Sequence, residues 1–299
     1  MPGAWTDLDR PPLDGRALRR ALVGPGGWSA LEAVATTGST NADLLARPDA
    51  PAGTVLVADH QSGGRGRLGR TWQAPPRSSL AVSVLLRPAA DGVPRERWSW
   101  LPLLTGLAVA DALGALDLRP RLKWPNDVLL ETDGGPAKVC GVLAEVRGDV
   151  VVLGAGINVA QRRDELPPPP DPSGAAGREA APVPATSLAL AGAGSTDRDT
   201  VLRRYLRALR ARLDAFAAAG GDPAARGLLA DYRAACATLG ADVRVHLPDG
   251  TVLTGRAEDV DADGRLVVAD ASAGGGGART AVAAGDVVHV RPAAGRPAR

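Results

Sequence analysis

The hydrophobic pattern of residues 79–159 restricts the fold more than any other stretch of the chain. Residues 79–87 alternate apolar with smaller side chains, which predicts a strand. Residues 98–116 show helical spacing and are apolar enough for a buried helix. Four more strands are predicted, at 121–124, 127–131, 139–147 and 150–159. The Arg147-Gly148-Asp149 turn predicts that the last two form a hairpin.

Shorter elements flank this stretch on both sides. Before it, we predict a helix at 13–22, a strand at 28–34, a short helix ending at Leu45 and a strand at 54–59. After it, we predict helices at 186–190, 197–219 and 223–239. Residues 161–186 contain proline, glycine and alanine without periodicity, which favours a flexible or polyproline-like surface insertion.

The pattern changes again at Ala241, where short β segments alternate with turns. The clearest turns are Pro248-Asp249-Gly250 and Asp263-Gly264. Four or five strands within about fifty residues predict a small β-barrel appended to an α/β domain. We expect an N-terminal segment packed on a catalytic domain, then that domain with its proline-rich insertion, then the barrel, with bounds 1–35, 36–239 and 240–299.

Composition argues against several classes of protein. A formal net charge of +2 is too small to indicate nucleic acid or an anionic membrane as a general partner. Two cysteines, Cys140 and Cys236, cannot form a disulfide framework, which favours a reducing cytoplasm. No apolar run approaches the roughly 20 residues that span a bilayer. The first ten residues do not resemble a signal peptide.

Lysine and asparagine are scarce in this chain. Of 35 basic residues only two are lysines, Lys123 and Lys138, and there are three asparagines, at 41, 126 and 158. A coding bias explains the scarcity, but it does not explain why both lysines fall so close together. Lysine is a compact point charge and arginine a planar fork, so a site that needs the first cannot accept the second. The two lysines therefore indicate one active site.

The arginine loop, residues 63–77, contains Gly64-Arg65-Gly66-Arg67-Leu68-Gly69-Arg70. The pattern matches the GxGxxG of dinucleotide-binding units, but a strand follows it and not a helix, which argues against that fold. A mobile loop whose amides and arginines close over phosphate fits better. An RNA-binding patch or a merely solvated loop are the alternatives, and RNA binding lacks the usual interleaved aromatic residues.

Three further segments favour a ligand site. Residues 123–127, Lys-Trp-Pro-Asn-Asp, are improbable for a plain strand and predict a kinked strand end that points polar groups into a cleft. Lys138 opens a buried strand, with Gly141 permitting close approach of a ligand; a lysine that reaches back to water is the alternative. Residues 154–159 carry little side-chain bulk, which suits a ligand slot or close packing of strands equally well.

Together with Gly38-Ser39-Thr40-Asn41 and Asp59-His60-Gln61-Ser62, these segments closely resemble the biotin protein ligase family in order and spacing. The arginine loop followed by Trp72 and the Lys-Trp-Pro-Asn-Asp run is a highly specific combination. The resemblance implies an α+β fold with a mixed, largely antiparallel sheet, like that of class II synthetases, and a small SH3-like C-terminal barrel. It also implies ATP-dependent activation of biotin to biotinyl-5′-AMP and transfer to a lysine.

The resemblance also implies roles for individual residues. The catalytic ones are Lys138, which should contact the biotin carboxylate and the α-phosphate, and Arg67. Those expected to bind biotin are Ser39, Thr40, Asn41, Gln61, Gly64, Arg65, Lys138 and Gly141. Those expected on the ATP or adenylate side are Arg67, Arg70, Trp72, Lys123, Asn126, Asp127 and Asn158. Mg²⁺ should accompany the ATP phosphates, no prosthetic group is expected, and Cys140 is interpreted as buried packing.

The expected partner is a biotin carboxyl carrier domain of an acyl-CoA or pyruvate carboxylase, with no DNA and no membrane. Longer family members carry an N-terminal DNA-binding module, and roughly 35 residues before the catalytic segments are too few for it, so a monofunctional ligase is expected. The oligomeric state stays open, with a homodimer as one option. The alternatives are a lipoate or octanoyl ligase or transferase, a nucleic-acid-binding module and a biotin sensor without catalysis.

Overall fold

The computed structural model describes residues 10–168, 183–270 and 278–289. Its larger sheet has seven strands in the order β1-β2-β3-β7-β6-β5-β4. Their bounds are Ala30–Val34 (β1), Thr54–Ala58 (β2), Ser79–Leu86 (β3), Pro120–Lys123 (β4), Asp127–Thr132 (β5), Gly135–Arg147 (β6) and Val150–Asn158 (β7). Only β1 and β2 pair in parallel; the other described neighbours in this sheet are antiparallel. The mixed, largely antiparallel sheet is thus confirmed.

Five α-helices are described, and they cover the two faces of this sheet unequally. Their bounds are Gly15–Leu22 (α1), Thr40–Leu45 (α2), Trp100–Gly114 (α3), Arg198–Ala218 (α4) and Leu228–Ala235 (α5). Alternation along β3 sends Leu80, Val82 and Val84 into the main core, which α1, α3, α4 and α5 also enter. Leu85 points the other way, into a smaller cluster with Leu44 of α2. The α2 face is therefore covered over only part of its area.

Helix α3 is the centre of the main core. Its mean hydropathy is high, and residues on all its sides are buried, as the apolar pattern predicted. Helix α4 has a buried stripe that includes Leu202, Leu206 and Leu209, with arginines elsewhere on its surface. The side chain of Asp197 accepts a hydrogen bond from the backbone N–H of Thr200 and caps its N-terminus. These helices hold the far side of the sheet rigid.

The C-terminal sheet has five antiparallel strands in the order β11-β10-β9-β8-β12. Their bounds are Asp242–His246 (β8), Val252–Val260 (β9), Leu266–Asp270 (β10), Arg279–Val282 (β11) and Asp286–His289 (β12). Although β11 and β12 form opposite edges, only residues 283–285 join them, and that link spans at most about 14 Å. Four strand spacings in a flat sheet would separate the edges by about 19 Å, so the sheet must curl. This curvature is consistent with the SH3-like barrel expected.

The C-terminal sheet packs directly on the larger unit. The indole Nε1 of Trp100 donates to Ala262 O at 2.8 Å, and Nε1 of Trp124 donates to Gly264 O at 3.0 Å. Val243 and Leu266 of this sheet belong to the same buried cluster as α3. Both sheets consequently share one continuous core.

Two predicted helices differ from the structure. Residues 186–190 do not form a helix: Ala185 makes a parallel bridge with Lys138, and turns begin at Leu188. The helix predicted at 223–239 is limited to α5, because Gly227 adopts a left-handed conformation just before it and the chain is extended at Cys236. Among the described residues, no helix is long and apolar enough to cross a membrane.

Candidate active site

A cavity of about 350 Å³ lies on the sheet face that α2 covers only in part. Its size falls within the range typical of small-molecule sites. Most residues expected from the sequence to bind ligand line it: Ser39, Thr40, Asn41, Gln61, Arg65, Arg67, Arg70, Trp72, Asn126, Asp127, Lys138, Gly141 and Asn158. The structure therefore brings Arg67 and Lys138 to one cavity.

Two of the expected residues, Gly64 and Lys123, do not line the cavity. Gly64 lies beneath its wall, where a side chain would meet the carbonyl oxygen of Trp72 and lie 3.0 Å from the Gln61 amide nitrogen. Lys123 lies behind Asp127, with Nζ 3.9 Å from Asp127 Oδ2 and the side chain almost fully buried. Each residue supports the cavity from outside.

The two lysines of the chain meet at one carboxylate. Lys138 Nζ lies 2.6 Å from Asp127 Oδ1, and Lys123 approaches the other oxygen of the same group. The close Lys138 contact is an ion pair with poor hydrogen-bond direction, since Asp127 Oδ1 has no well-directed donor among the described residues. The concentration of both lysines in a short stretch of sequence thus has a physical reason: they share Asp127.

Burial lowers the pKa of Lys123, and the neighbouring Asp127 opposes that shift. Burial also lowers the pKa of Arg67, which Asp286 and Asp127 oppose. The guanidinium nevertheless stays charged, because its ordinary pKa is far above neutrality. The inner end of the cavity is therefore a partly desolvated region with fixed positive charge.

The arginine loop is tied to both sheets. Arg67 Nη1 donates to Asn126 Oδ1 at 3.1 Å and to the carbonyl oxygen of Gly285 at 3.3 Å. Arg70 forms an ion pair with Asp286, at the start of β12. Within the loop, Arg65 and Thr71 make an antiparallel bridge. The loop thus arches over the cavity with its tip against the C-terminal sheet.

The Lys-Trp-Pro-Asn-Asp segment is a hairpin turn between β4 and β5, closed by the pair Lys123–Asp127. Trp124 points into the core and does not face the cavity. Two hydrogen bonds with the backbone of Val142 anchor Asn126. Its side-chain Nδ2 donates to Val142 O at 3.1 Å, and its backbone oxygen accepts from Val142 N at 2.8 Å. The kinked strand end predicted from the sequence therefore presents Asn126 and Asp127 to the cavity.

At the opposite end, α2 and its surroundings form a polar network. Gln61 Oε1 accepts from the backbone N and from Oγ1 of Thr40, at 2.8 and 2.9 Å. Ser83 Oγ lies within 2.7 Å of both Thr40 Oγ1 and Asn41 Oδ1, and its single proton can serve only one at a time. Asn41 Nδ2 donates to Glu145 Oε2 at 2.8 Å, so this amide also joins α2 to β6.

The cavity floor is made by glycines of β6 and β7. Alternation along β7 sends Ile157 into the core, while Gly154 and Gly156 face the cavity. A Cβ on Gly156 would lie 2.6 Å from Trp72 Cε2, and one on Gly141 would lie 3.1 Å from Trp72 Cζ3. The indole of Trp72 thus lies directly against the backbone of β6 and β7, where a side chain in place of either glycine would crowd it.

The proline-rich segment was expected to be a surface insertion, but both of its described ends form a cavity wall. The wall residues are Leu166, Pro167, Pro168, Val183, Pro184 and Ala185. Lys138 N donates to Pro184 O at 2.7 Å, and Thr186 N donates to Lys138 O at 2.9 Å, which attaches the second end to β6. Residues 162–164, 167 and 168 are exposed, so these ends lie at the surface and also contribute to the cavity wall; residues 169–182 lie outside the described residues.

Sequence reasoning missed this wall and Asp286. Nothing local marks Asp286, because it enters the site only through folding of the C-terminal sheet. The apolar residues Leu166 and Val183 at the ends of the proline-rich segment were the available signal for the wall. Cys140 is fully buried, and burial raises its thiol pKa, in agreement with the packing interpretation.

The lining residues fit Mg²⁺ only if the nucleotide brings most of its ligands. No group of three or more His, Cys, Asp or Glu side chains suited to a metal occurs in the described part of the chain. Two carboxylates, those of Asp127 and Asp286, line the cavity. One or two carboxylates together with phosphate oxygens are a usual Mg²⁺ environment, and these two would provide it by exchanging their ion pairs with Lys138 and Arg70 for the metal.

Comparison with known proteins agrees with the fold. Residues 32–161 match the Biotin/lipoate A/B protein ligase family, and residues 238–290 match the Biotin protein ligase C terminal domain. Fold and site together define a ligase of the biotin/lipoate class.

A biotin–[acetyl-CoA-carboxylase] ligase of Mycobacterium tuberculosis is 45% identical over 296 residues, which is 96% of this chain and 100% of that protein. The bifunctional ligase/repressor BirA of Bacillus subtilis is 30% identical over 75% of this chain and 64% of its own length. Biotin protein ligase from Aquifex aeolicus in complex with biotin and ATP superposes with a TM-score of 0.68 at 27% identity, covering 88% of this chain and 100% of that one. The chain belongs to the biotin protein ligase family, as its motifs predicted.

Proposed function

We propose that the protein activates biotin with ATP to biotinyl-5′-AMP and transfers the biotinyl group to a lysine of a biotin carboxyl carrier domain. The observation that carries the proposal is the shared cavity, in which Arg67 and Lys138 face the same space and both lysines meet Asp127. The names of the related ligases support biotin and a carboxylase as the substrates.

We assign biotin to the α2 end of the cavity. Gln61 is oriented by its two hydrogen bonds from Thr40, which leave the amide nitrogen as the end that can donate to the ligand. The glycine floor of Gly141 and Gly156 accepts a flat ring system beside Trp72. Lys138, between this floor and Asp127, is placed to meet the carboxylate of the acid.

We assign the nucleotide to the end lined by Asn126, Asp127 and Asn158 and to the wall at 166–168 and 183–185. Asn158 is held by its Nδ2, which donates to Thr186 O at 2.9 Å, and by Gln161 Nε2, which donates to its Oδ1 at 2.8 Å. These bonds fix the amide at the base of the wall. Arg67 and Arg70 lie above, on the arginine loop, where they can face phosphate.

In the first step a biotin carboxylate oxygen attacks the α-phosphorus, and the bond to pyrophosphate breaks. Two anions must approach one another, so catalysis depends on positioning and charge stabilisation. Lys138 and Arg67 supply fixed positive charge in a partly desolvated space. Mg²⁺, when bound, would add charge on the phosphates, with Asp127 and Asp286 as the carboxylates available to it.

In the second step the amine of the acceptor lysine attacks the acyl carbon, AMP leaves and the amine loses a proton. The mixed anhydride must meet the amine before water, and the arginine loop is placed to cover it. We further propose a cytoplasmic enzyme with domain bounds at 1–35, 36–239 and 240–299, in which the first segment packs on the catalytic domain by adding β1 to its sheet. Two buried free cysteines suit that compartment.

The test is to incubate the protein with MgATP, a carrier domain and either biotin or lipoate, and then to weigh the carrier. We expect a mass increase of one biotinyl group together with biotin-dependent release of pyrophosphate. Transfer of lipoate but not biotin would establish the lipoate ligase alternative. Binding of biotin without pyrophosphate release would establish a sensor, and either result would refute the proposal.

A further inference from the structure

A short segment that precedes α1, residues 10–13, is fastened across the back of the site; we call it the N-terminal strap. The guanidinium of Arg10 is almost fully buried and makes a two-pronged ion pair with Glu165, at 2.9 Å from Nη1 to Oε1 and 2.5 Å from Nη2 to Oε2. Nη2 also donates to the carbonyl oxygen of Ala160 at 2.6 Å. One side chain thus binds both ends of the segment 160–165, which follows β7.

A second buried arginine fastens the same strap from the other side. Arg198, in the first turn of α4, donates from Nη2 to Pro11 O at 2.6 Å and pairs with Asp59 Oδ1 at 2.8 Å. Leu13 N approaches the same Asp59 oxygen at 3.4 Å. Because α4 is fixed in the core, Arg198 gives the strap a rigid anchor, and the strap carries Arg10 to Glu165.

Glu165 stands at the edge of the cavity wall. It ends a single 3-10 turn, Arg163–Glu165, and the next residues, Leu166, Pro167 and Pro168, line the cavity. Such a short turn does not hold itself in place, so its position depends on tertiary contacts. Glu165 Oε2 also accepts from Arg162 N at 2.8 Å, which closes the turn on itself, while Arg10 fixes the turn to the rest of the protein.

A two-pronged arginine–carboxylate pair holds both the distance and the plane of the carboxylate. With Arg10 removed, the half-buried carboxylate of Glu165 would lose its main cationic partner, and the turn would no longer be fixed against the strap. Release of the turn would displace Leu166–Pro168. Asp59, whose side chain accepts from Leu13 N of the strap, also accepts from Arg77 N with its backbone oxygen at 2.8 Å, so the strap is linked to the end of the arginine loop only through Asp59.

We propose that Arg10 is a positioning residue, which through Glu165 sets the cavity wall at 166–168 and thereby the affinity of the site for the adenine nucleotide. The inference rests on the proposed function, since the nucleotide is assigned to this wall. Arg10 does not touch the cavity itself: no lining position is contributed by the strap. Its effect must therefore pass through the wall.

The experiment compares Arg10→Ala, Glu165→Gln and the double variant in biotin-dependent pyrophosphate release with MgATP. We expect KM for ATP to rise about tenfold in each single variant, while KM for biotin and kcat stay within about twofold. The double variant should be no worse than either single one, because both remove the same contact. Arg233→Ala is the matched control: it removes a two-pronged pair with Asp259, away from the cavity, and should leave KM for ATP unchanged.

A second measurement does not depend on activity. Hydrogen exchange of the segment 160–168 in the protein without substrates should be faster in Arg10→Ala than in the wild type or in Arg233→Ala. Unchanged exchange there, equal increases in KM for both substrates, or additive effects in the double variant would each overturn the role of Arg10. An inactive wild type would instead refute the proposed function, and hydrogen exchange would still decide whether the strap holds the wall.

Discussion

Among single residues, Lys138 is the one at which the type of side chain is most narrowly restricted. Its Nζ must stay 2.6 Å from Asp127 while lying 5.6 Å from the centre of the Trp72 ring. A Cβ on Gly141 would come within 3.2 Å of this nitrogen, so the space around it is narrow. A compact ammonium fits there, whereas a planar guanidinium has to push Trp72 or the floor aside.

We therefore expect Lys138→Arg to lower biotin-dependent pyrophosphate release by about 100-fold or more, although the charge is kept. The loss should occur with an unchanged circular dichroism spectrum and unfolding temperature. Release at a near-normal rate would show that the site needs only a positive charge at this position.

His289 links pH to stability. Its Nε2 lies 3.1 Å from Thr238 Oγ1, and burial, together with the nearby Lys123, lowers its pKa to about 4. The unfolded chain has a histidine pKa of about 6.5, so it binds the proton more readily than the folded protein. The stability gained by keeping His289 neutral is fully present above pH 6.5. It is lost as the pH falls from 6.5 toward 4, because the unfolded chain then takes up a proton that the folded protein does not.

Between pH 7.5 and pH 5, this one group should lower the free energy of unfolding by about 2 kcal/mol. Urea denaturation at the two pH values measures the loss, and in His289→Gln the difference between the two pH values should shrink by that amount. An identical pH dependence in the variant would mean that other groups cause the acid sensitivity.

At the scale of elements, the alternating sequence of β7 contributes one side to the core and the other to the cavity. Its core side packs Ile157 against α3, and its cavity side has glycines that leave room for Trp72. Gly156 is the critical position, because a methyl group there would collide with the indole, whose Nε1 is buried and has no partner among the described residues.

Gly156→Ala should therefore push Trp72 out toward water and shift its fluorescence to longer wavelength. An extra methyl group in a packed site costs about 1–3 kcal/mol. If ligand binding has to overcome that cost, the affinity for biotin or the nucleotide falls roughly 5- to 150-fold. Gly194→Ala is the control, since nothing lies within 4 Å of a methyl group there. The spectral shift must vanish in a Trp72→Phe background; its persistence there would assign it to another tryptophan.

At the scale of the whole molecule, the C-terminal sheet is part of the site. Asp286 lines the cavity and pairs with Arg70 of the arginine loop. The structure argues against a larger unit that stays intact when residues 241–299 are removed. The buried indole of Trp124 would lose its acceptor on Gly264, at a cost of about 1–3 kcal/mol, and part of the common core would be exposed.

A point substitution tests the connection more cleanly. Asp286→Asn should accelerate tryptic cleavage within the arginine loop by up to about fivefold, since an exposed ion pair contributes about 0.2–1 kcal/mol. The unfolding temperature should not change. Asp242→Asn, which weakens an exposed pair with Arg256 in the same sheet, is the control. Cleavage at the wild-type rate would show that Arg67 alone holds the loop.

Ligand should act on the same loop in the opposite direction. We expect biotin or its adenylate to protect residues 63–77 from trypsin in the wild type and in Asp286→Asn alike. Equal sensitivity with and without ligand would contradict the assignment of the loop as a lid.

The sequence by itself determined the elements whose signals are local. The alternation in β3 and the glycines of β7 define which side of each strand is apolar, and the hairpin at 147–149 orders its neighbours. Lysine is scarce in the whole chain, and this scarcity drew attention to Lys123 and Lys138. A site that needs a compact positive charge retains lysine even where the coding bias favours arginine. The motifs then identified the family. The helix expected at 186–190 was wrong, because the chain at Ala185 pairs with Lys138 of β6 in a strand-like bridge instead.

Only the tertiary structure decided which distant groups meet. Arg10 reaches Glu165 across 155 positions of sequence, and Arg70 reaches Asp286 across 216. Neither pair leaves a periodicity or a spacing to find, because a contact between remote segments is selected by the complete packing of the core and not by local propensity. For the same reason the sequence did not show that the ends of the proline-rich segment form a wall of the site.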